Sequence, residues 1–135
     1  GSELLPLVKL GDFGFCRLVD TDEYPMSIQS GTPWYMAPEV MESNEYGCPA
    51  DIYSWSIVCH EVCTGNPLFH FNTRLKNLTA FGLAICQGIR PRLEELPPFD
   101  GREELRTTLA SFWHASADER PSGDQLVVQV ERLVG

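Results

Sequence analysis

Residues 49–64 read Pro49-Ala50-Asp51-Ile52-Tyr53-Ser54-Trp55-Ser56-Ile57-Val58-Cys59-His60-Glu61-Val62-Cys63-Thr64, and this stretch decides the fold. Proline suits the first turn of a helix, and Asp51 sets a negative charge near the helix N-terminus. Gly65 followed by Pro67 ends the run. Ile52, Tyr53, Trp55, Ile57, Val58, Cys59, Val62 and Cys63 spread apolar surface over every face, which is the pattern of a core helix. A bilayer span takes ~20 apolar residues, so this helix is too short to be one. It is expected to be a central pillar against which other helices pack.

Three weaker helices follow. Residues 73–87 carry Leu75, Leu78, Ala84 and Ile85 and close at Gly88. Residues 101–114 place Leu105, Leu109, Phe112 and Trp113 on one stripe, with Asp100 and Glu103 at capping-box spacing. Residues 123–134 align Leu126, Val130 and Leu133, and Ser122 with Gln125 makes a second capping box. Upstream, Leu7-Val8-Lys9-Leu10 reads as a short strand ended by Gly11, and Phe15-Cys16-Arg17-Leu18-Val19 as a second. Residues 20–31 are polar and rich in hydroxyls, a surface loop. No internal repeat or low-complexity tract divides the chain. The expected fold is mainly α, a helical bundle around a buried central helix with one or two short N-terminal strands.

The 135 residues amount to about one domain, 43% hydrophobic and 21% charged, within the globular range. Asp and Glu number 19 against 10 Lys and Arg, a formal charge of −9. Such a surface repels phosphate backbones and anionic lipid, so nucleic acid and membrane surfaces are excluded as natural partners and basic peptides are favoured. Five cysteines, Cys16, Cys48, Cys59, Cys63 and Cys86, are an odd number without a CxxC pair, as expected of reduced thiols in an intracellular, cytoplasmic protein. Cys59 and Cys63 share a helix face, but structural zinc wants four ligands and no second Cys/His pair stands at metal spacing. Small core-filling thiols are the simpler reading. Gly1-Ser2 reads as an expression scar, leaving 3–135 as the domain.

The motifs decide the chemistry. Val8-Lys9-Leu10-Gly11-Asp12-Phe13-Gly14 is followed by Gly31-Thr32-Pro33-Trp34-Tyr35-Met36-Ala37-Pro38-Glu39, then Asp51-Ile52-Tyr53-Ser54-Trp55-Ser56, then Asp118-Glu119-Arg120-Pro121. In this order the chain resembles the eukaryotic protein kinases, whose activation segment is bracketed by DFG and APE tripeptides, here residues 12–39. Phe112-Trp113-His114 and the Asp118–Ser122 ending resemble the tyrosine-kinase-like group.

The resemblance implies a role for each matching residue. Asp12 would hold Mg²⁺ bridging the ATP phosphates, a hard cation that suits a carboxylate. Phe13, apolar in a polar setting, is expected to pack inward, and Gly14 to free the backbone turn. Glu39 and Arg120 would form a buried ion pair, the guanidinium fork meeting the carboxylate in two parallel hydrogen bonds. Thr32 matches a threonine of the Ser/Thr-type kinases, with dual or tyrosine specificity left open. Asp51 would anchor the catalytic loop, a role compatible with its place at the helix start. Glu61 matches an acidic position that holds substrate arginine in some members; a buried structural acid is the other reading. Thr21, Tyr24, Ser27 and Ser30 are candidate phosphorylation sites, with Arg17 the single cation inside the segment to receive a phosphate. Relative to the family, Ser56 replaces a usual glycine and His60 a usual aromatic residue, departures expected to alter packing more than chemistry.

The chain contains no GxGxxG loop, no V-A-I-K lysine and no H-R-D-x-x-x-x-N loop. It is therefore read as the large (C-terminal) lobe part of a kinase domain whose N-lobe lies elsewhere. ATP and Mg²⁺ are cofactors of the parent enzyme, with none expected bound to this piece, which should be inactive and self-associate through exposed apolar surface. The parent's partner is a protein substrate, presented as a basic one by the chain's charge. Two rivals stand beside this reading: a pseudokinase scaffold, and an independent helical interaction domain.

Overall fold

The computed structural model describes residues 6–16, 32–43, 46–67 and 77–135. The described residues are mainly helical: α1 (Pro38–Glu42), α2 (Cys48–Thr64), α3 (Leu78–Cys86), α4 (Arg102–Phe112) and α5 (Gly123–Val134), with single 3₁₀ turns ahead of α1, between α3 and α4, and between α4 and α5.

α2 forms where the sequence places it, one residue earlier than its proline. Pro49 occupies the first turn, and Gly65 at φ 69° closes the helix, its N–H donating to Glu61 O at 2.8 Å. Its burial is a stripe, not a full circumference. Ala50, Tyr53, Ile57 and His60 recur at helical spacing and face the core, whereas Val58 is 45% and Val62 77% exposed. The expectation of a helix buried all round is corrected to that extent.

The other helices pack on this stripe. Ala37, Val40, Phe81, Ile85, Leu96, Leu105, Leu109 and Trp113 form one cluster with Tyr53 and Ile57. Trp34 meets Phe81 edge-on with centroids 4.7 Å apart, and Trp55 meets Phe112 at 5.6 Å, geometries that suit the ring quadrupoles. α1 packs against α3 beside Gly82, where an added Cβ would stand 3.4 Å from Met41 Sδ. Ser56, fully buried, donates its hydroxyl to Tyr53 O at 2.6 Å. His60, also buried, places Nε2 3.0 Å from Arg92 O and its ring edge against Trp113. Both departures from the family pattern are thus accommodated by packing.

Helix ends follow cap chemistry more closely than apolar periodicity. The Ser122–Gln125 capping box is formed, the N–H of each residue meeting the other's side chain. α3 starts at an Asn77 cap, Oδ1 accepting from Ala80 N–H at 2.8 Å. Its expected earlier turns, at 73–76, lie outside the described residues. The Asp100–Glu103 box does not form. Gly101, at φ 94°, takes the cap position in a left-handed conformation, so Asp100 falls one residue too early to cap.

No strand occurs among the described residues, which corrects the N-terminal strand of residues 7–10. Strand geometry needs a neighbour to take its backbone hydrogen bonds. Leu7, Val8 and Leu10 are instead 82–88% exposed in an irregular stretch. Of the second candidate, residues 15–19, Phe15 closes a 3₁₀ turn and 17–19 lie outside the described residues. No helix among the described residues is long and apolar enough to cross a membrane.

Candidate functional site

Pro33–Tyr35 makes one 3₁₀ turn, Ala37 caps α1, and Pro38 opens it, so Glu39 stands in the first turn of α1 with its side chain turned toward α2 and the loop before α5. There it meets Arg120. Nη1 of Arg120 donates to Glu39 Oε1 at 2.6 Å and Nη2 to Oε2 at 2.9 Å, a fork-to-fork pair joining residues 81 positions apart. The arginine side chain has no exposure and the glutamate side chain 21%. Two further donors of Arg120 are used: Nη1 reaches Pro49 O at 3.0 Å and Nε reaches His114 O at 2.9 Å. One guanidinium therefore connects α1, the start of α2 and the end of α4.

A second link lies beside it. Tyr35 donates its hydroxyl to Glu61 Oε2 at 2.8 Å, and Ser54 donates to Tyr35 O at 2.8 Å. α2 thereby grips residue 35 at both its backbone and its ring. The hydrogen bond to Glu61 comes first among the causes that raise the Tyr35 phenol above its ordinary value, followed by burial. Tyr53, on the buried stripe, has guanidinium carbons of Arg90 and Arg120 each 5.2 Å from its ring centroid. Burial pushes its phenol up to about 12.

Asp12 is placed differently. It is exposed, at φ 60° and ψ 68°, the one non-glycine residue with positive φ among those described. A bulky residue resists that conformation, which aspartate tolerates at some cost. No hydrogen bond or ion pair joins it to Glu39, Arg120 or Glu61 among the described residues. Phe13 is 65% exposed, which corrects its expected inward packing: the described residues 6–16 are all exposed and offer it no apolar wall. Gly14 follows, where an added Cβ would stand 3.7 Å from Asp12 Oδ1.

Asp12 would offer a metal ion one exposed carboxylate, and no group of three or more His, Cys, Asp or Glu gathers into a metal site among the described residues. That donor set fits Mg²⁺, which keeps its waters and takes one or two carboxylates with substrate phosphates, better than an ion requiring an all-protein cage. Cys59 and Cys63 are free thiols; burial, with Cys63 beside it, pushes Cys59 up to about 12, as suits core filling.

Thr32 is exposed at the start of the 3₁₀ turn, its carbonyl accepting from Tyr35 N–H at 3.2 Å. Asp51 lies at the surface of the first turn of α2, where desolvation lifts its carboxyl above the ordinary value. Thr21, Tyr24, Ser27 and Ser30, with Arg17, lie outside the described residues. The structure thus joins Glu39 to Arg120 and brings Glu61 to Tyr35, while Asp12, Thr32 and Asp51 stand apart from these contacts. Tyr53 and Arg90 were not singled out from the sequence. An aromatic residue inside an apolar run reads as core, and an arginine between prolines and glycines reads as surface.

A helical bundle anchored by a fork-to-fork Glu–Arg pair, with a DFG turn upstream, is part of a protein kinase domain. The chain belongs to the protein kinase family: the model of the protein kinase domain matches residues 2–130. Among its relatives is the dual specificity protein kinase shkD of Dictyostelium discoideum, 31% identical over 129 residues, which are 94% of this chain and 16% of that protein. The serine/threonine-protein kinase STY17 of Arabidopsis thaliana is 31% identical over 128 residues, 95% of this chain and 21% of the relative. A putative serine/threonine-protein kinase/receptor of Acanthamoeba polyphaga mimivirus is 35% identical over 123 residues, 91% and 7% respectively. The chain spans 21% or less of the length of these relatives.

Proposed function

We propose that this chain is the large-lobe part, residues 3–135, of a protein kinase of the tyrosine-kinase-like group, which transfers the ATP γ-phosphate to serine or threonine hydroxyls of protein substrates. The observation that carries the reading is the buried Glu39–Arg120 fork. It fixes the far end of the segment that begins at Asp12, and phosphoryl transfer depends on positioning and electrostatic stabilisation more than on covalent chemistry by the protein. Serine/threonine and dual-specificity names among the relatives support the acceptor class.

In this reading Asp12 binds the nucleotide's Mg²⁺ through its exposed carboxylate. Mg²⁺–ATP, when bound, supplies the phosphoryl group and offsets the charge developing on it. Thr32 lies beside the acceptor hydroxyl, and the Tyr35–Glu61 and Ser54–Tyr35 bonds hold the backbone that receives the substrate peptide. Glu61, which accepts from Tyr35, brings negative charge to this segment, and that charge favours a basic substrate residue. Taken alone the chain holds Asp12 but no glycine-rich loop, strand lysine or HRD loop, so it is expected to turn nothing over.

The test is phosphate transfer to a protein substrate by the polypeptide that carries this segment together with a small lobe. Asp12→Asn should lower kcat by about three orders of magnitude, in keeping with loss of a metal-mediated clamp, while circular dichroism stays unchanged. Unaltered turnover in Asp12→Asn would overturn the assignment. Calorimetry on the chain alone should give no Mg²⁺–ATP dissociation constant below the millimolar range.

A further inference from the structure

We propose that Arg90 is a positioning residue for the Glu39–Arg120 anchor, acting through the ring of Tyr53. Arg90 is half-buried, and its guanidinium bonds go to backbone carbonyls: Nε to Trp113 O, Nη1 to Ile85 O and to Ile89 O, all at 2.8 Å. Among the described residues no carboxylate lies within ion-pair distance of it. These three carbonyls belong to the C-terminal ends of α3 and α4 and the turn after α3, so the cation is held in place by the ends of two helices. It presents its charge to Tyr53 at 5.2 Å, the same distance at which Arg120 meets that ring.

Two guanidiniums near one aromatic ring repel each other, and a single carboxylate, Glu39, balances them. The electron-rich face of the ring offsets the remainder. The ring is therefore the element through which the helix ends sense the anchor. If Arg90 goes, Tyr53 loses a charge that helps orient it, and the ring against Arg120 is held less firmly. Burial depresses the pKa of Arg90, in agreement with a cation placed where a neutral side chain would be cheaper to desolvate. A half-buried arginine at a loop position without a carboxylate partner calls for a reason, and the shared ring supplies one.

The experiment is done first on this chain. Nε–H of Arg120, bonded to His114 O, gives a separate nitrogen–proton resonance whose hydrogen exchange reports how firmly the guanidinium is held. Arg90→Met should accelerate that exchange by roughly tenfold or more while the backbone amides of α2 keep their protection. Arg90→Lys, which keeps a cation near the ring, should recover part of the protection. In a Tyr53→Leu background Arg90→Met should have no further effect. No acceleration in Arg90→Met, or the same acceleration without Tyr53, overturns the proposal. Should Arg90→Met fail to fold, Tyr53→Leu alone must loosen Arg120, and its failure to do so is equally fatal.

A second arm rests on the kinase reading. In the complete enzyme Arg90→Met should raise KM for the protein substrate several-fold and leave KM for ATP unchanged. An unchanged protein KM refutes the functional consequence. Absence of turnover in the parent protein itself would tell against the kinase reading and leave the exchange result standing.

Discussion

A guanidinium taken out of water must place its donors, and Arg120 places them on Glu39, Pro49 and His114 with no exposed side-chain surface left. Removing one partner of such a pair strands the other, which costs about 3–5 kcal/mol. Arg120→Ala is accordingly expected to lower the melting temperature by ~10 °C or more, since ~1 kcal/mol moves a domain of this size by a few degrees. A calorimetric shift below one degree would show that the pair is not buried in solution. Arg120→Lys should also destabilise, because an ammonium cannot make the two parallel bonds. Tyr35 makes a milder, pH-dependent contribution. Its phenol is raised in the folded state by the bond to Glu61, so the unfolded chain ionises first as pH rises. The stability that Tyr35 contributes is fully present below the ordinary value of 10.0 and is lost as pH climbs through the raised one. Urea denaturation of wild type and Tyr35→Phe should differ by about 1 kcal/mol at neutral pH. That difference should vanish in strong alkali; one that grew above pH ~10 would contradict the assignment.

At the scale of elements, caps determine where the helices stop and start. Ser122 and Gln125 satisfy two N-terminal donors of α5, a helix with no fully buried residue to hold it otherwise. Ser122→Ala should cost ~1 kcal/mol and fray the first turn, seen as faster amide exchange at residues 124–126. α2 ends at Gly65 in the left-handed region, and Gly65→Ala should cost a similar amount in strain. The expected helices at 49–64 and 123–134 were legible because proline, glycine and the capping box each act locally. The expected box at Asp100–Glu103 failed because spacing alone does not say which residue takes the cap, and Gly101 could adopt a φ that aspartate resists. The strand at 7–10 failed for a different reason. A strand is a relation between two segments, and an apolar run cannot state whether its neighbour is present.

The whole molecule carries the consequence of that unpartnered surface. Leu7, Val8, Leu10 and Phe13 are exposed at one end, and Val58 and Val62 on α2. Exposed apolar side chains favour association. The chain is therefore expected to form dimers at high concentration in sedimentation experiments, and Leu7→Asp with Leu10→Asp to restore the monomer without loss of helix signal. A wild-type chain that stays monomeric throughout would remove that expectation. The formal charge of −9 works against non-specific contact with nucleic acid and favours basic peptides, in the direction that the proposed substrate chemistry requires.

By itself the sequence determined the central helix and the motif order of DFG, APE and the Asp–Glu–Arg–Pro ending, short local patterns that survive without knowledge of any contact and that carry the family resemblance. That resemblance implied Glu39 and Arg120 as partners, and the structure joins them across 81 positions. Only the tertiary structure decided that Tyr35 reaches Glu61, that α2 is buried on one stripe, and that Arg90 and Arg120 meet over Tyr53. The physical reason is one of range. Caps and motifs are properties of neighbouring residues, whereas a shared ring or a buried stripe depends on which distant helix ends pack there, and no local pattern encodes that.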